Sequence, residues 1–302
     1  MIKTGLALSA NASPLIIRLL NSHPDVELAW VTAPGLGADA LTARYPALTG
    51  EIGHIEAVAD LDGIDLYIGP MTEAVGERIA ADGSSLHAII TGGGREDAFA
   101  DGVAAFGVAE YNRKALVRGA RVAIMPDTLT LLATQALMPL AKNLLLRPLV
   151  QGALLLPDAA SDGITAARGP MPDEAFDRAR AVLAGLQASA APRFEVLASR
   201  SGESTFAAAT LGMQLAMSEA EVARLYTDFY SDHRHMVMVG GSVSEAIVRG
   251  TNKTAISLSH AEQGRLWVSV GFDAAYKAGA GTAVHLLNLL FGLDERTGLS
   301  AV

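Results

Sequence analysis

The chain opens with an apolar run, "IKTGLALSA", and then spaces its apolar residues at helical intervals through "SPLIIRLLNSH". The run predicts a buried strand and the spacing predicts the helix after it, with Ser13 placed to cap and Pro14 at the first helical position. "VELAWVTA" predicts a second strand and completes a βαβ unit. "IDLYIGP", "LHAIIT" and "RVAIMP" are further short apolar runs, separated by the helical stretch "EAVGERIAAD" or by polar loops. Strands alternating with helices in this way predict a doubly wound parallel sheet of nucleotide-binding type over roughly the first 130 residues.

The pattern then changes. "MPDTLTLLATQALMPL" turns at Pro126 and Asp127 and enters a helix expected from Thr128 to Asn143. "PLVQGALLLPDA" predicts a strand, and "DEAFDRARAVLAGLQASA" and "SEAEVARLYTDFYSD" predict amphipathic helices. "MVMVG", "TAISLS" and "RLWVSVGFD" alternate or run apolar like strands of a mixed sheet, so a second, α+β domain is expected. The last segment, "AGAGTAVHLLNLLFG", starts with small residues that allow close packing and ends at Gly292, a helix C-cap candidate.

The 302 residues have room for two such domains. A formal charge of -9, with the 23 Lys and Arg scattered, argues against nucleic acid or an anionic membrane as partner. No apolar run reaches membrane-spanning length and the N-terminal one is short for a signal peptide, so a cytoplasmic protein is expected. His233 and His235 form an H-x-H without a third ligand at sensible spacing; no metal is expected, and an exposed strand entrance is the preferred reading of the pair. The chain contains no cysteine, which removes disulfides, thiolate metal sites and thiol nucleophiles. That absence matters at residue 128, where a loop delivers one side chain to a helix start suited to an anionic nucleophile, and the side chain is a threonine.

The tail "FDAAYKAGAGTAVHLLNLLFGLDERTGL" resembles the closing segment of N-acetyl-gamma-glutamyl-phosphate reductases, within the wider semialdehyde dehydrogenase fold. Those proteins read approximately D-N-L-V-K-G-A-A-G-Q-A-V-Q-N-M-N, then G-L-x-E-x-x-G-L. Asp273, Lys277, Gly281, Ala283, Val284, Asn288, Gly292, Leu293, Glu295, Gly298 and Leu299 match in register. "RLLNSHPDVEL", "FGVAEYNR" (for Y-G-L-P-E-x-N-R) and "VRGTNKTAISL" match in the right order, so the resemblance spans nearly the whole chain. It implies an α/β fold: a Rossmann-type parallel-sheet domain, 1–127 plus 278–302, and an α+β domain with a mixed sheet, 128–277, which serves substrate and oligomerisation in the family. The C-terminal helix returns to the first domain. The resemblance also implies a homo-oligomer, and a chemistry in which a cysteine thiolate displaces phosphate, NADPH delivers hydride to the thioester and a histidine shuttles protons.

Each element of that chemistry can be sought in this sequence. The nucleophile motif N-P-G-C falls on Met125, Pro126, Asp127 and Thr128, which places Thr128 on the cysteine and a carboxylate, Asp127, on the glycine. The family's F-x-P-H-L-x-P-x-x-R-G falls on "FEVLASRSGES", with Leu197 on the histidine, Glu203 on a substrate-binding arginine, and Arg200 nearby. The glycine fingerprint falls on "ALSANAS", with Ala7, Ala10 and Ser13 in place of glycines, which disfavours ordinary NADPH binding. Ser9, Asn11 and Ser13 precede a helix and could hold a phosphate, although helix capping is the favoured role. Thr72, Glu73 and Ala74 stand where the family has P-H-G, and "TGGGRED" where it has D-L-S-A-D-F-R. Glu110 and Arg113 keep family positions, compatible with a structural ion pair as much as with a substrate contact.

Two readings follow. In the first, the chain is a non-catalytic relative acting as a scaffold, a regulatory subunit of an active enzyme or a small-ligand sensor. In the second, it is a divergent NAD(P)-dependent oxidoreductase, or another enzyme acting on an amino-acid derivative in the inter-domain cleft, with Thr128, Asp127, Lys277 and Glu203 as candidate catalytic residues. Reduction of the family's own acyl phosphate is a third reading, and the lack of a thiol weighs against it.

Overall fold

The computed structural model describes residues 1–8, 14–33, 35, 41–43, 45–52, 56, 59–93, 96–158, 169–189, 192–261 and 264–299. The chain divides into two compact units, Met1–Pro126 with Ala278–Val302, and Asp127–Lys277.

In the first unit, β1 (Ile2–Ala7), α1 (Leu15–Asn21) and β2 (Val26–Thr32) form the opening βαβ. β3 (Leu66–Pro70), α2 (Glu73–Ala80), β4 (His87–Thr91), β5 (Ala104–Phe106), α3 (Ala109–Arg118) and β6 (Val122–Ile124) follow. The sheet runs β2-β1-β3-β4-β6-β5 and every pairing in it is parallel. Its strands are near-continuous apolar runs because helices cover such a sheet on both faces. α1 begins at Leu15, with Pro14 one position before it, and Ser13 lies outside the described residues. The C-terminal helix α8 (Gly281–Leu290) is buried along its whole length and packs against α1, α3 and β4. The chain leaves that helix through Gly292 at φ +67°, where a side chain would be strained.

The second unit begins with α4 (Thr128–Lys142) and β7 (Leu149–Leu156). β8 (Gly169–Pro170), α5 (Asp177–Leu186), β9 (Arg193–Arg200), β10 (Phe206–Gln214) and α6 (Glu219–Tyr230) follow. β11 (Met236–Met238), α7 (Glu245–Val248), β12 (Thr254–Ala261) and β13 (Arg265–Asp273) complete it. The mixed sheet runs β11-β12-β13-β10-β7-β9-β8. Ser218 and Glu221 form a reciprocal capping box that starts α6 where the sequence placed it. β9 and β10 were not foreseen as strands. β9 alternates, with Phe194, Val196 and Ala198 buried and Leu197 exposed; β10 is rich in Ala and Gly, weak strand formers, and owes its conformation to β7 and β13 on either side.

α4 is the core of this unit, buried from Thr128 to Ala141. Pro139 lies within it and has no N–H to give the Gln135 carbonyl one turn earlier. Tyr230 replaces that donor: its hydroxyl reaches the Gln135 carbonyl at 2.5 Å, while Tyr226 bonds the Ala136 carbonyl at 2.6 Å. Burial holds the Tyr226 phenol well above its ordinary pKa, so it remains a donor. Tyr230→Phe is therefore expected to lower stability by about 1–3 kcal/mol, the cost of a buried acceptor left unmet, read as a fall in urea midpoint at unchanged slope.

Candidate functional site

The residue before α4 is extended, with φ -78° and ψ 165°, which lets its side chain turn back onto the first helical turn. Asp127 does this with both carboxylate oxygens. Oδ1 accepts the Thr130 N–H at 2.7 Å and Oδ2 accepts the Thr130 hydroxyl, also at 2.7 Å. The carboxylate thus satisfies an orphan donor of the helix and sits in the favourable field of its N-terminus. Thr128, the first helical residue, is only 2% exposed. A helix start able to favour an anion from solution is filled by the protein's own anion, next to a buried hydroxyl.

The other candidates of the second unit share one end of its sheet. Phe206 of β10 pairs with Asp273 of β13, and the Ala274 N–H donates to the Thr205 carbonyl at 2.8 Å, so the turn carrying Glu203 adjoins the strand end that leads to Lys277. The Thr254 hydroxyl donates to Gln135 Oε1 at 2.9 Å, which ties α4 to the start of β12 at that same end. Glu203 is exposed, whereas Lys277 is 2% exposed in the irregular turn Tyr276–Ala280. Asp273 is buried and structural: its two oxygens accept the Gly250 and Ala275 N–H groups. Leu197 lies mid-strand on β9 and offers no group to move a proton.

Arg200, placed by the sequence only near the histidine motif, carries a guanidinium that the structure buries. It ends β9 with its side chain 6% exposed, pairs through Nε with Asp158 Oδ1 at 3.1 Å, and leaves Nη1 buried without a partner. The signal was present in the sequence only as proximity to a motif; burial of the guanidinium needed the strand. His233 and His235 precede β11. His235 is buried and not the exposed entrance expected of it, and its carbonyl accepts the Thr254 N–H at 2.8 Å. Among the described residues no cluster of three His, Asp or Glu could hold a metal ion.

No family model matches the chain. An N-acetyl-gamma-glutamyl-phosphate reductase of Parabacteroides distasonis is 27% identical over 325 aligned positions, covering 99% of this chain and 98% of that protein. One of Neisseria gonorrhoeae is 29% identical over 331 positions, covering 95% and 93%. The chain resembles N-acetyl-gamma-glutamyl-phosphate reductases along nearly its whole length. Among solved structures, aspartate semialdehyde dehydrogenase II from Vibrio cholerae superimposes with a TM-score of 0.67 at 12% identity, covering 97% of this chain and 99% of that one. An aspartate semialdehyde dehydrogenase with NADP from Candida albicans gives 0.64 at 10%, covering 96% and 99%. The fold is that of the semialdehyde dehydrogenases.

The reductase-like residues of the first unit hold the fold together. Glu295 bridges the His285 ring, at 2.8 Å to Nε2, and the Arg113 guanidinium, at 2.6 Å, so the ion pair of Arg113 is with the tail. Asn288 accepts from His23 Nε2 at 2.9 Å and donates to the Thr297 carbonyl at 2.8 Å. Gly298 lies at φ +70°, and a Cβ there would stand 2.4 Å from the His23 ring. Tail, α8, α3 and α1 are thereby clamped into one body.

Where a Rossmann-type sheet receives a dinucleotide, the described residues fit it poorly. β2 ends in Thr32 and is followed by Ala33, both buried, so these two positions present no carboxylate to the ribose 2′-hydroxyl that distinguishes NADH from NADPH. The start of α2 is already capped by Thr72 and carries Glu73, which opposes a phosphate. Gly92 and Gly93 have positive φ, as a turn demands. Ser9, Asn11 and Ser13, and the end of the Gly-Gly-Gly run with Arg95, lie outside the described residues. No helix among the described residues is long and apolar enough to cross a membrane.

Proposed function

We propose that this chain is a non-catalytic relative of N-acetyl-gamma-glutamyl-phosphate reductase, acting in the cytoplasm as a regulatory or ligand-sensing subunit in a homo-oligomer or beside an active enzyme. The observation that carries this is the start of α4. In place of a thiolate stands Thr128, buried, and the neighbouring Asp127 carboxylate fills the helix N-terminus that would favour an anionic nucleophile or an incoming acyl phosphate. A threonine hydroxyl needs a strong base to attack, and its ester would expel an alkoxide, a far poorer leaving group than a thiolate. Leu197 supplies no base, and among the described residues of the first unit the start of α2 is capped by Thr72 and carries Glu73, which opposes a phosphate.

The test is an assay of NADPH oxidation with N-acetyl-gamma-glutamyl phosphate, together with a fluorescence titration of NADPH and NADH. No turnover and no nucleotide binding at millimolar concentration is the expected result. Turnover abolished by Thr128→Ala or Lys277→Ala would sink the proposal.

One observation favours a second reading, a divergent oxidoreductase or other enzyme acting on an amino-acid derivative. Arg200 keeps a buried, unmet Nη1 at the strand end shared with Glu203 and Lys277, and such a donor suits an anionic ligand. Micromolar nucleotide binding would shift the balance to this reading.

A further inference from the structure

α4 ends in a tight turn that suits a glycine and carries a leucine. The Leu145 N–H donates to the Leu140 carbonyl at 2.9 Å and the Leu144 N–H to the Ala141 carbonyl at 3.0 Å, the paired bonds of a Schellman turn. Such a turn needs a left-handed residue after Asn143, and Leu144 supplies it at φ +59°. Among the described residues it is the only one besides glycine with a positive φ, and it is 70% exposed. Glycine would close the same turn without strain and without an apolar group in water, so folding of the turn does not account for the leucine.

Beside it lies a groove of about 330 Å³, between Asn143 at the end of α4 and one face of α6. Half-buried Leu225 and Phe229 are its apolar lining, and Glu221, Arg224 and Asp228 follow at helical spacing along the rim. Tyr226 and Tyr230, on the opposite face of α6, bond α4 carbonyls and hold the groove in place. Leu144, exposed as it is, does not fill this groove.

The charges divide by element. Lys142 and Arg147 flank Leu144, both exposed and neither paired with a carboxylate among the described residues. α6 carries Glu219, Glu221 and Asp228 against a single cation on that face, Arg224, which lies 3.5 Å from Asp228 in an exposed pair. A basic apolar projection and an acidic apolar groove therefore stand side by side on one surface.

We propose that this surface is a twofold interface between two copies of the chain, in which Leu144 of each copy enters the groove of the other and Lys142 and Arg147 face the acidic rim there. Each copy offers both halves of the contact, so the exchange is reciprocal and closes at two. Burial of the leucine drives the association, and the charges set its register and its rate. The patch is small, so the dimer is reversible, with dissociation in the range of about 1–100 µM. The interface gives the homo-oligomer of the proposed function a face and rests on that part of the reading alone, because no group at the start of α4 takes part in it.

Sedimentation velocity of the full chain from about 1 to 200 µM, at low and at high salt, tests the proposal. The expected result is a concentration-dependent association step that weakens with salt. Leu144→Gly is expected to weaken this step at least about tenfold while the melting temperature of the monomer does not fall, because glycine suits the turn. A merely structural role for Leu144 would lower folding stability as well. Two charge variants, Lys142→Glu with Arg147→Glu in one and Asp228→Lys in the other, give projection and groove the same sign. Each is expected to associate poorly alone and to recover association when the two are mixed in equal amounts. A charge pair within one copy cannot produce that recovery. No association of the parent at about 200 µM, an association step indifferent to Leu144→Gly, or a mixture no better than its components overturns the proposal. Should Leu144→Gly fail to fold, the mixture decides. None of these outcomes bears on turnover or nucleotide binding, so the interface and the non-catalytic reading fail separately.

Discussion

Asn288→Ala is expected to destabilise the first unit by about 2–4 kcal/mol, a large share of the stability of an ordinary domain. Asn288 is fully buried on α8, and its amide does three things. Oδ1 accepts the His23 Nε2–H at 2.9 Å; Nδ2 donates to the carbonyl of Thr297 at 2.8 Å and reaches that of Glu295 at 3.4 Å. His23 is committed to this tautomer because its Nδ1 accepts the Asp25 N–H at 3.1 Å. Truncation to alanine leaves a buried imidazole donor and a carbonyl without partners, and adds a small cavity. Chemical denaturation measures the loss, and limited proteolysis near residues 293–299 reports whether the tail lifts first. A cost below roughly 0.5 kcal/mol, the level of an ordinary surface change, would show that the clamp does not hold the tail.

Acid is expected to unlock the same region. The hydrogen bond from His285, joined by that from Arg113, brings the Glu295 carboxyl from its ordinary value near 4.5 down to about 2, against the opposing effect of burial. In the unfolded chain the group binds its proton near the ordinary value, so the unfolded state holds more protons through the interval from pH 4.5 to 2. Stability from Glu295 is thus complete above about pH 4.5 and lost as pH falls toward 2, on the order of 2 kcal/mol after allowance for the solvent that reaches Arg113. A Glu295→Gln variant should begin less stable at neutral pH and lose less over this interval. Parallel pH profiles for the two proteins would rule the bridge out as the acid-labile element.

Both expectations concern residues that make the chain look like an acyl-phosphate reductase. Asn288, Glu295 and Gly298 match the family in register, and the structure employs them in holding tail to helix. The likeness in this stretch therefore reports a shared fold, and the function has to be argued from the site. At the site the difference lies in the Asp127 cap and the buried Thr128.

Much of the fold was legible because periodicity is local. The capped α6, the buried α4 and the parallel strands of the first unit other than the three-residue β5 follow from apolar spacing and turn residues that neighbouring positions already display. The empty nucleophile position was also a sequence fact: with no cysteine in the chain, Thr128 cannot act as a thiolate wherever it lies. Other properties are set by partners far along the chain. β10 is a strand because β7 and β13 pair with it, since its own Ala and Gly residues give little preference. Tyr230 completes the helix bond that Pro139 removes from a distance of 95 residues, and the Arg113 partner lies 182 residues away. The sequence by itself determined which chemical groups are present and which elements they favour. Tertiary structure alone decided which polar atoms are satisfied, because burial and hydrogen-bond partnership arise only when distant segments exclude water together, and for that reason the burial of the Arg200 guanidinium emerged only from the structure.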